Sequence, residues 1–420
     1  MDNSSRRDFL KSSSVATGSA LFGALGTNYA FAEGSDKIKV GVIGCGGRGT
    51  GAIRNVLDSA PNVQIVAMGD MFQQRLDNAN GTLAAKNPGG VVPADRCFIG
   101  FDAYKKVLAS DVNYVILATP PGFRPMQFKA AIEAGKNVFT EKPIAVDAPG
   151  VRLFLEANEM AIKRGLAVTC GLQRHHQQEY VDTIKRIHDG AIGQVTSMSV
   201  YWNQGHLWVN EREPGWSDME YQLRNWYYFV WLCGDHIVEQ HVHNVDVANW
   251  VLGAHPIRAY GMGGRQVRTA PKFGHIYDHF TVEYEYANGA RVLSMCRQID
   301  GTASRVAEFA IGTKGTAIPS GTIKVGEQTT FRAIKGNDPY VQEHSDNILG
   351  IRAGKPLNEG KFVAESTLSV IMGRESAYTG QIIEWEDMLN SKKDYAPAKL
   401  SMDAVLPVPE VAMPGTTKFF

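Results

Sequence analysis

The sequence predicts an α/β architecture, with a parallel doubly wound sheet in its first half. An α+β domain with a large, open, mostly antiparallel sheet follows in its second. Three observations carry this reading. Short β-branched runs alternate with helical stretches up to residue 164, and a glycine-rich turn interrupts the series after the first run. From Gly165 onward the pattern changes to longer strands with strict in–out alternation. The expected divisions are a leader at 1–32, a nucleotide-binding domain at 37–164, a second domain at 165–395 and a proline-rich tail at 396–420.

The leader carries Ser5-Arg6-Arg7-Asp8-Phe9-Leu10-Lys11, then an apolar run from Val15 to Leu25 and the small-x-small pattern Ala30-Phe31-Ala32. This reads as a twin-arginine signal with its cleavage site, so the protein is expected to be exported folded and to act in the periplasm or outside the cell. The run is too short and too rich in glycine to be a stable membrane anchor. Basic and acidic residues both number 43, which gives no electrostatic case for nucleic acid. A small neutral molecule is the expected partner. The 5 cysteines form no Cys-x-x-Cys pair and read as buried hydrophobes.

The first run, Lys37 to Ile43, stops at Gly44-Cys45-Gly46-Gly47-Arg48-Gly49 and a helix follows. Gly44 permits the tight turn, Gly46 lets backbone approach a pyrophosphate, and Gly49 lets the helix pack on the strand. A second run, Val63 to Met68, ends near Asp70, where a carboxylate would hold the adenosine ribose hydroxyls. The pattern predicts a Rossmann domain binding NAD. Arg48 and Arg75 leave NADP open, because a guanidinium can accommodate the extra phosphate. Further runs at Tyr114–Ala118 and Asn137–Thr140 end in Thr119-Pro120-Pro121 and Glu141-Lys142-Pro143, which should face the cofactor from the carboxyl ends of the strands. From position alone, Glu141 and Lys142 could equally be a surface charge pair.

In this order and spacing the motifs resemble the Gfo/Idh/MocA family of sugar oxidoreductases, which includes glucose-fructose oxidoreductase and inositol dehydrogenase. The likeness rests on the glycine loop, Asp70, Ala118-Thr119-Pro120, Glu141-Lys142-Pro143, Gly171-Leu172-Gln173-Arg174, and a helix from Glu239 through His243 to Asp246. The resemblance implies Lys142 and His243 as the groups that move the hydroxyl proton. Glu239, one helical turn before His243, would assist them. It implies Gly44, Gly46, Gly47, Arg48, Gly49, Asp70, Thr119, Pro120, Glu141 and Gln173 around the cofactor, and export away from a free nicotinamide pool predicts that this cofactor is tightly bound. Two departures stand out: most family dehydrogenases carry Asp where Glu239 stands, and usually His where Arg124 stands.

Between Tyr201 and Trp231 aromatics interleave with amides and charges, a composition suited to stacking and hydrogen-bonding a pyranose. Packing in the core or between subunits is the plainer reading of any one tryptophan. Arg174, His175, Trp202, His206, Asn225 and Trp226 are the expected sugar contacts. Glu239, His241, His243, His175 and His176 also invite a metal reading, but His241 points off the shared helix face and too few ligands remain, so no metal is expected. His241 reads instead as a satisfied core histidine.

The expected reaction is oxidation of a ring hydroxyl of a sugar or glycoside by hydride transfer to NAD, with C3 the position the resemblance suggests. One alternative is a glycoside hydrolase that passes through a transient 3-keto sugar, as NAD-dependent α-N-acetylgalactosaminidases do. The other is a non-catalytic sugar or NAD binder. The open sheet face and the tail are expected to support a homo-oligomer, a dimer or tetramer.

Overall fold

The structure, a computed structural model, describes residues 36–86 and 89–419; the predicted leader lies outside them. In the first sheet β1 (Ile38–Ile43), β2 (Val63–Asp70) and β3 (Cys97–Ile99) lie on one side. On the other are β4 (Tyr114–Leu117), β5 (Asn137–Thr140) and β6 (Val168–Cys170), and the order is β3-β2-β1-β4-β5-β6. Every pairing is parallel. All four residues of β4 are buried, which is why that run is apolar without alternation. The strand order reverses between β1 and β4, and a crevice opens there at the carboxyl ends of the strands. Since β6 belongs to this sheet, the first domain extends past the predicted limit at residue 164. The helix Ala148–Arg164 ends there because Gly165 turns the chain at φ 66°, while the Asp147 side chain caps its other end through Gly150 N at 2.8 Å.

The second sheet has nine strands: β7 (Val195–Gln204), β8 (Pro256–Gly264), β9 (His279–Tyr286), β10 (Arg291–Gln298), β11 (Arg305–Gly312), β12 (Thr316–Ile318), β13 (Thr322–Val325), β14 (Gln328–Arg332) and β15 (Ile382–Glu384). Their order is β14-β13-β12-β11-β7-β10-β9-β8-β15. β10 and β7 run parallel, and the other pairs are antiparallel. Inward positions such as Val282, Tyr284, Val292 and Cys296 are buried, whereas Tyr260, Met262, Leu293 and Met295 leave the outer face apolar and exposed.

The helix Gly360–Thr379 is the strut between the domains, packed on β8 on one side and on the helix Ala148–Arg164 on the other. Its fully buried Arg374 pairs with Glu375 at 2.8 Å and donates to the carbonyls of Val146 and Gly234, one from each domain. The cysteines are free, and Cys45, Cys170, Cys233 and Cys296 are buried as expected. Among the described residues no helix is long and apolar enough to cross a membrane.

One expectation is corrected. The stretch from Glu239 to Asp246 is not one helix: a single turn, His236–Glu239, is followed by a break at Gln240 and His241 before the helix Val242–Leu252 begins. The proline-rich tail is anchored by hydrogen bonds. Leu406 bonds to Asp218 and Gln222, Ala412 O accepts from Tyr277, and Gly415 N donates to Thr379 O, so it lies along its own second domain.

The strut region also fixes His176 between two carboxylates, with Nδ1 2.7 Å from Asp346 and Nε2 3.0 Å from Glu359. Burial lowers its pKa, but Glu359 and Asp346 outweigh burial and hold it up at about 10. In the unfolded chain it titrates near 6.5, so between those values the folded state holds one extra proton. That stabilisation is complete below pH 6.5 and is lost as the pH rises through about 10. Urea unfolding should therefore show stability falling from pH 7 to pH 10, by up to about 1.4 kcal/mol per pH unit. His176→Gln should flatten that slope; an unchanged slope in the variant contradicts the assignment.

Candidate active site

The glycine loop is built for close approach. Gly44 has φ 92°, and a Cβ there would meet the Ala118 carbonyl carbon and Thr119 N at 2.6 Å. A Cβ on Gly49 would collide with the Gly44 carbonyl, so strand and helix could not pack. Asp70 braces the loop, its carboxylate accepting from Cys45 N at 2.7 Å and Phe72 N at 3.0 Å. Burial pushes its pKa up, while Arg75 opposes the rise. Above the loop a Cβ on Gly47 would meet nothing within 4 Å, and the helix Gly47–Ser59 starts without a side-chain cap. Its first N–H groups thus open on a cavity of about 580 Å³ lined by Cys45, Gly46, Gly47, Phe72 and Arg75 among others. This cradle fits the pyrophosphate of a dinucleotide.

Beside it, at the carboxyl end of β5, the Glu141-Lys142-Pro143 segment enters the crevice. Lys142 Nζ donates to the Glu239 carboxylate at 3.1 Å and to the Glu239 carbonyl at 2.8 Å, joining the two domains at the centre of the site. Both side chains are about nine-tenths buried, at 11% and 10% exposure. Arg124 is buried and donates to Pro143 O at 2.6 Å, so it anchors this segment rather than facing a substrate. Burial lowers its pKa to about 10, although Glu141 and Glu239 counter this.

His243 completes the cluster. Burial first, then Lys142 and Arg174, hold its pKa well below the ordinary imidazole value, so the ring is neutral rather than poised near neutrality. Its Nδ1 is buried without a partner among the described residues. Trp202 lies alongside, the ring centroids 5.7 Å apart and nearly parallel at 24°. Arg174 fixes the His243 backbone through its carbonyl at 3.0 Å and is itself paired with Glu308 at 2.6 Å. Glu308 also accepts from Asn244 and Tyr180.

Asp235, four residues before Glu239, sits at φ 73° and ψ 162°, a region other residues leave to glycine. Its buried carboxylate accepts from His236 N, Tyr277 N and Tyr378 OH, which hold the strained backbone in place. Burial pushes its pKa up to about 6 against those hydrogen bonds.

Of the residues expected to touch a sugar, Trp202 lies in the site. Arg174 is buried and is engaged by the His243 carbonyl and Glu308. His175 is corrected to a packing residue: its ring is stacked between Trp250 at 4.1 Å and Phe362 at 4.4 Å, and it bonds to Asp246. Asn225 is fully buried and exchanges hydrogen bonds with the Asn210 backbone, so it pins a loop. His206 is half-exposed and paired with Asp300, and Trp226 packs on Trp208 and Tyr227. His241 bonds to Ser294 at 2.8 Å, and burial lowers its pKa to about 3, as suits a core histidine.

Among the expected cofactor contacts, Thr119 donates to Gln127 at 2.6 Å and Pro120 precedes the next turn. Gln173 reaches the Tyr340 hydroxyl at 3.3 Å. Arg48 departs from expectation. It pairs with Glu141 and with Glu343, the latter at 3.0 Å, and so ties the loop to the Glu-Lys-Pro segment instead of lining the cavity. Glu343 is fully buried, and burial pushes its pKa well up despite Arg48. No local pattern marks Tyr340 or Glu343 in the sequence, whereas Glu308, a charge at an inward position of an alternating strand, leaves a cue there.

Residues 38–172 match the model of an oxidoreductase family with an NAD-binding Rossmann fold, and residues 180–318 match the GFO/IDH/MocA C-terminal domain. An inositol 2-dehydrogenase of Rubrobacter xylanophilus is 24% identical over 284 residues, 67% of this chain and 71% of that one. A second, from Klebsiella pneumoniae, is 32% identical over 156 residues, 37% of this chain and 43% of its own. Among solved structures, the aldose-aldose oxidoreductase of Caulobacter crescentus superposes with a TM-score of 0.65 at 17% identity, over 83% of this chain and 99% of that one. Apo scyllo-inositol dehydrogenase of Lactobacillus casei gives a TM-score of 0.65 at 17% identity, over 84% and 99%. At that identity the likeness establishes the fold.

Proposed function

The chain belongs to the Gfo/Idh/MocA family of oxidoreductases, and from that premise we propose that it oxidises a ring hydroxyl of a sugar or glycoside, at C3. It is an NAD(P)-dependent oxidoreductase. The observation that carries the proposal is Lys142, held by Glu239 beside the neutral ring of His243 at the edge of the dinucleotide cradle. A bound nicotinamide supplies the hydride acceptor. The chain's own residues manage the rest. Removing a hydride from a carbinol carbon leaves positive charge unless the hydroxyl proton departs too. The ammonium of Lys142 donates to the carbinol oxygen and stabilises the developing alkoxide, while the neutral imidazole of His243 accepts the proton. The Trp202 ring offers a flat apolar face to the C–H side of a pyranose, and a cyclic polyol presents the same ring carbinol. Asp70 at the end of β2 favours NAD over NADP.

Lys142→Met should leave the dinucleotide bound and lower turnover by about two to four orders of magnitude, the usual worth of an acid–base group. Assayed on aryl glycosides, the wild type should give a keto product without released phenol. Near-normal turnover in the variant, or phenol release as the main reaction of the wild type, contradicts the proposal.

The leader motif supports the further reading that the enzyme works outside the cytoplasm. Replacing Arg6 and Arg7 with Lys should shift the protein from the periplasmic to the cytoplasmic fraction. An unchanged distribution would count against export by this route.

A further inference from the structure

The cavity above the glycine loop is not enclosed by the first domain alone. Its far wall comes from the second domain, where Asn210, Glu213, Trp216 and Arg224 face the loop. Arg224 is the join. Its guanidinium carbon lies 4.1 Å from the Phe72 ring centroid and 4.7 Å from that of Trp216. A stack of Phe72, Arg224 and Trp216 therefore crosses between the domains at the rim of the cradle. Planar, weakly hydrated guanidinium suits such a position between two rings.

The segment carrying these groups is already ordered. Glu220 pairs with Arg224 at 2.8 Å, and Asn210 Nδ2 donates to Arg224 O at 2.9 Å. Asn225 exchanges bonds with the Asn210 backbone at 2.7 and 3.1 Å, closing the base of the loop. Arg212 spans the loop from Asp218 at 2.7 Å to Trp216 O at 3.0 Å. A wall ordered before binding does not spend binding energy on its own immobilisation. It presents a cation and an indole to a ligand that is an aromatic base joined to a diphosphate.

We propose that Trp216 and Arg224 are cofactor-binding residues supplied by the second domain, and that their stack with Phe72 closes around the adenosine half of the dinucleotide. Bound this way, the cofactor stays in place between turnovers. The proposal rests on the reading that the cradle takes a nicotinamide dinucleotide. It gives the buried Asn225 a task, since the pin at the base of the loop keeps the wall upright.

The test is the rate at which bound dinucleotide leaves. Wild type, Arg224→Ala and Trp216→Leu are loaded with NADH and chased with excess unlabelled NAD, and release is followed by the loss of bound NADH fluorescence. Both variants should release it at least about tenfold faster than wild type, the scale of a lost cation–π stack. Arg224→Lys should fall between, because it keeps the charge and loses the plane. Equal release rates from wild type and from both variants, with thermal midpoints unchanged, overturn the clasp while leaving the cofactor reading intact. A wild type that binds neither NADH nor NADPH overturns both.

Discussion

The bond from Lys142 to Glu239 spans 97 residues and joins the two domains at the one place where chemistry is expected. Much of the surrounding structure serves to hold its two ends. Arg124 grips Pro143, next to the lysine. Arg374, on the strut helix, donates to Val146 on the lysine's side and to Gly234 on the glutamate's side. Asp235 accepts backbone strain, about 1–3 kcal/mol by the usual scale, to start the single turn that delivers Glu239. A shift of either domain alone would separate donor from acceptor, so the relative placement of the domains is part of the site.

The charges that secure this arrangement are buried: Arg174 with Glu308 and Arg374 with Glu375. Removing charges from water costs several kcal/mol each, and their mutual attraction roughly restores it, so such pairs add little net stability. What they impose is geometry, because breaking one leaves a charge without a partner. Lysine and arginine beside His243 have a second effect. Together with burial they keep its ring neutral, which suits a proton acceptor better than a ring already charged.

Local spacing made the glycine loop, the parallel sheet, and the places of Asp70 and Lys142 at its strand ends legible in the sequence, since each depends on residues a few positions apart. The same logic misplaced the helix from Glu239 to Asp246. Its break at Gln240 and His241 follows a left-handed Asp235 that is held by Tyr277 and Tyr378 from distant elements. Asn225 looked like a sugar contact because amides and aromatics share that stretch, yet its partner is Asn210, 15 residues back. Arg174 and Glu308 lie 134 residues apart, beyond any local pattern. The place of Arg48 in a glycine loop suggests a phosphate contact, but the two carboxylates that claim it, Glu141 and Glu343, come together only in the fold.

The central claim is that Lys142 and His243 deprotonate a ring carbinol whose hydride passes to the bound nicotinamide. The most direct measurement uses a sugar substrate deuterated at the ring carbinol carbons, with mass spectrometry of the dinucleotide recovered from the protein after a single turnover. Reduced dinucleotide should carry one deuterium for each keto product formed. Keto product accompanied by reduced dinucleotide without deuterium would contradict it.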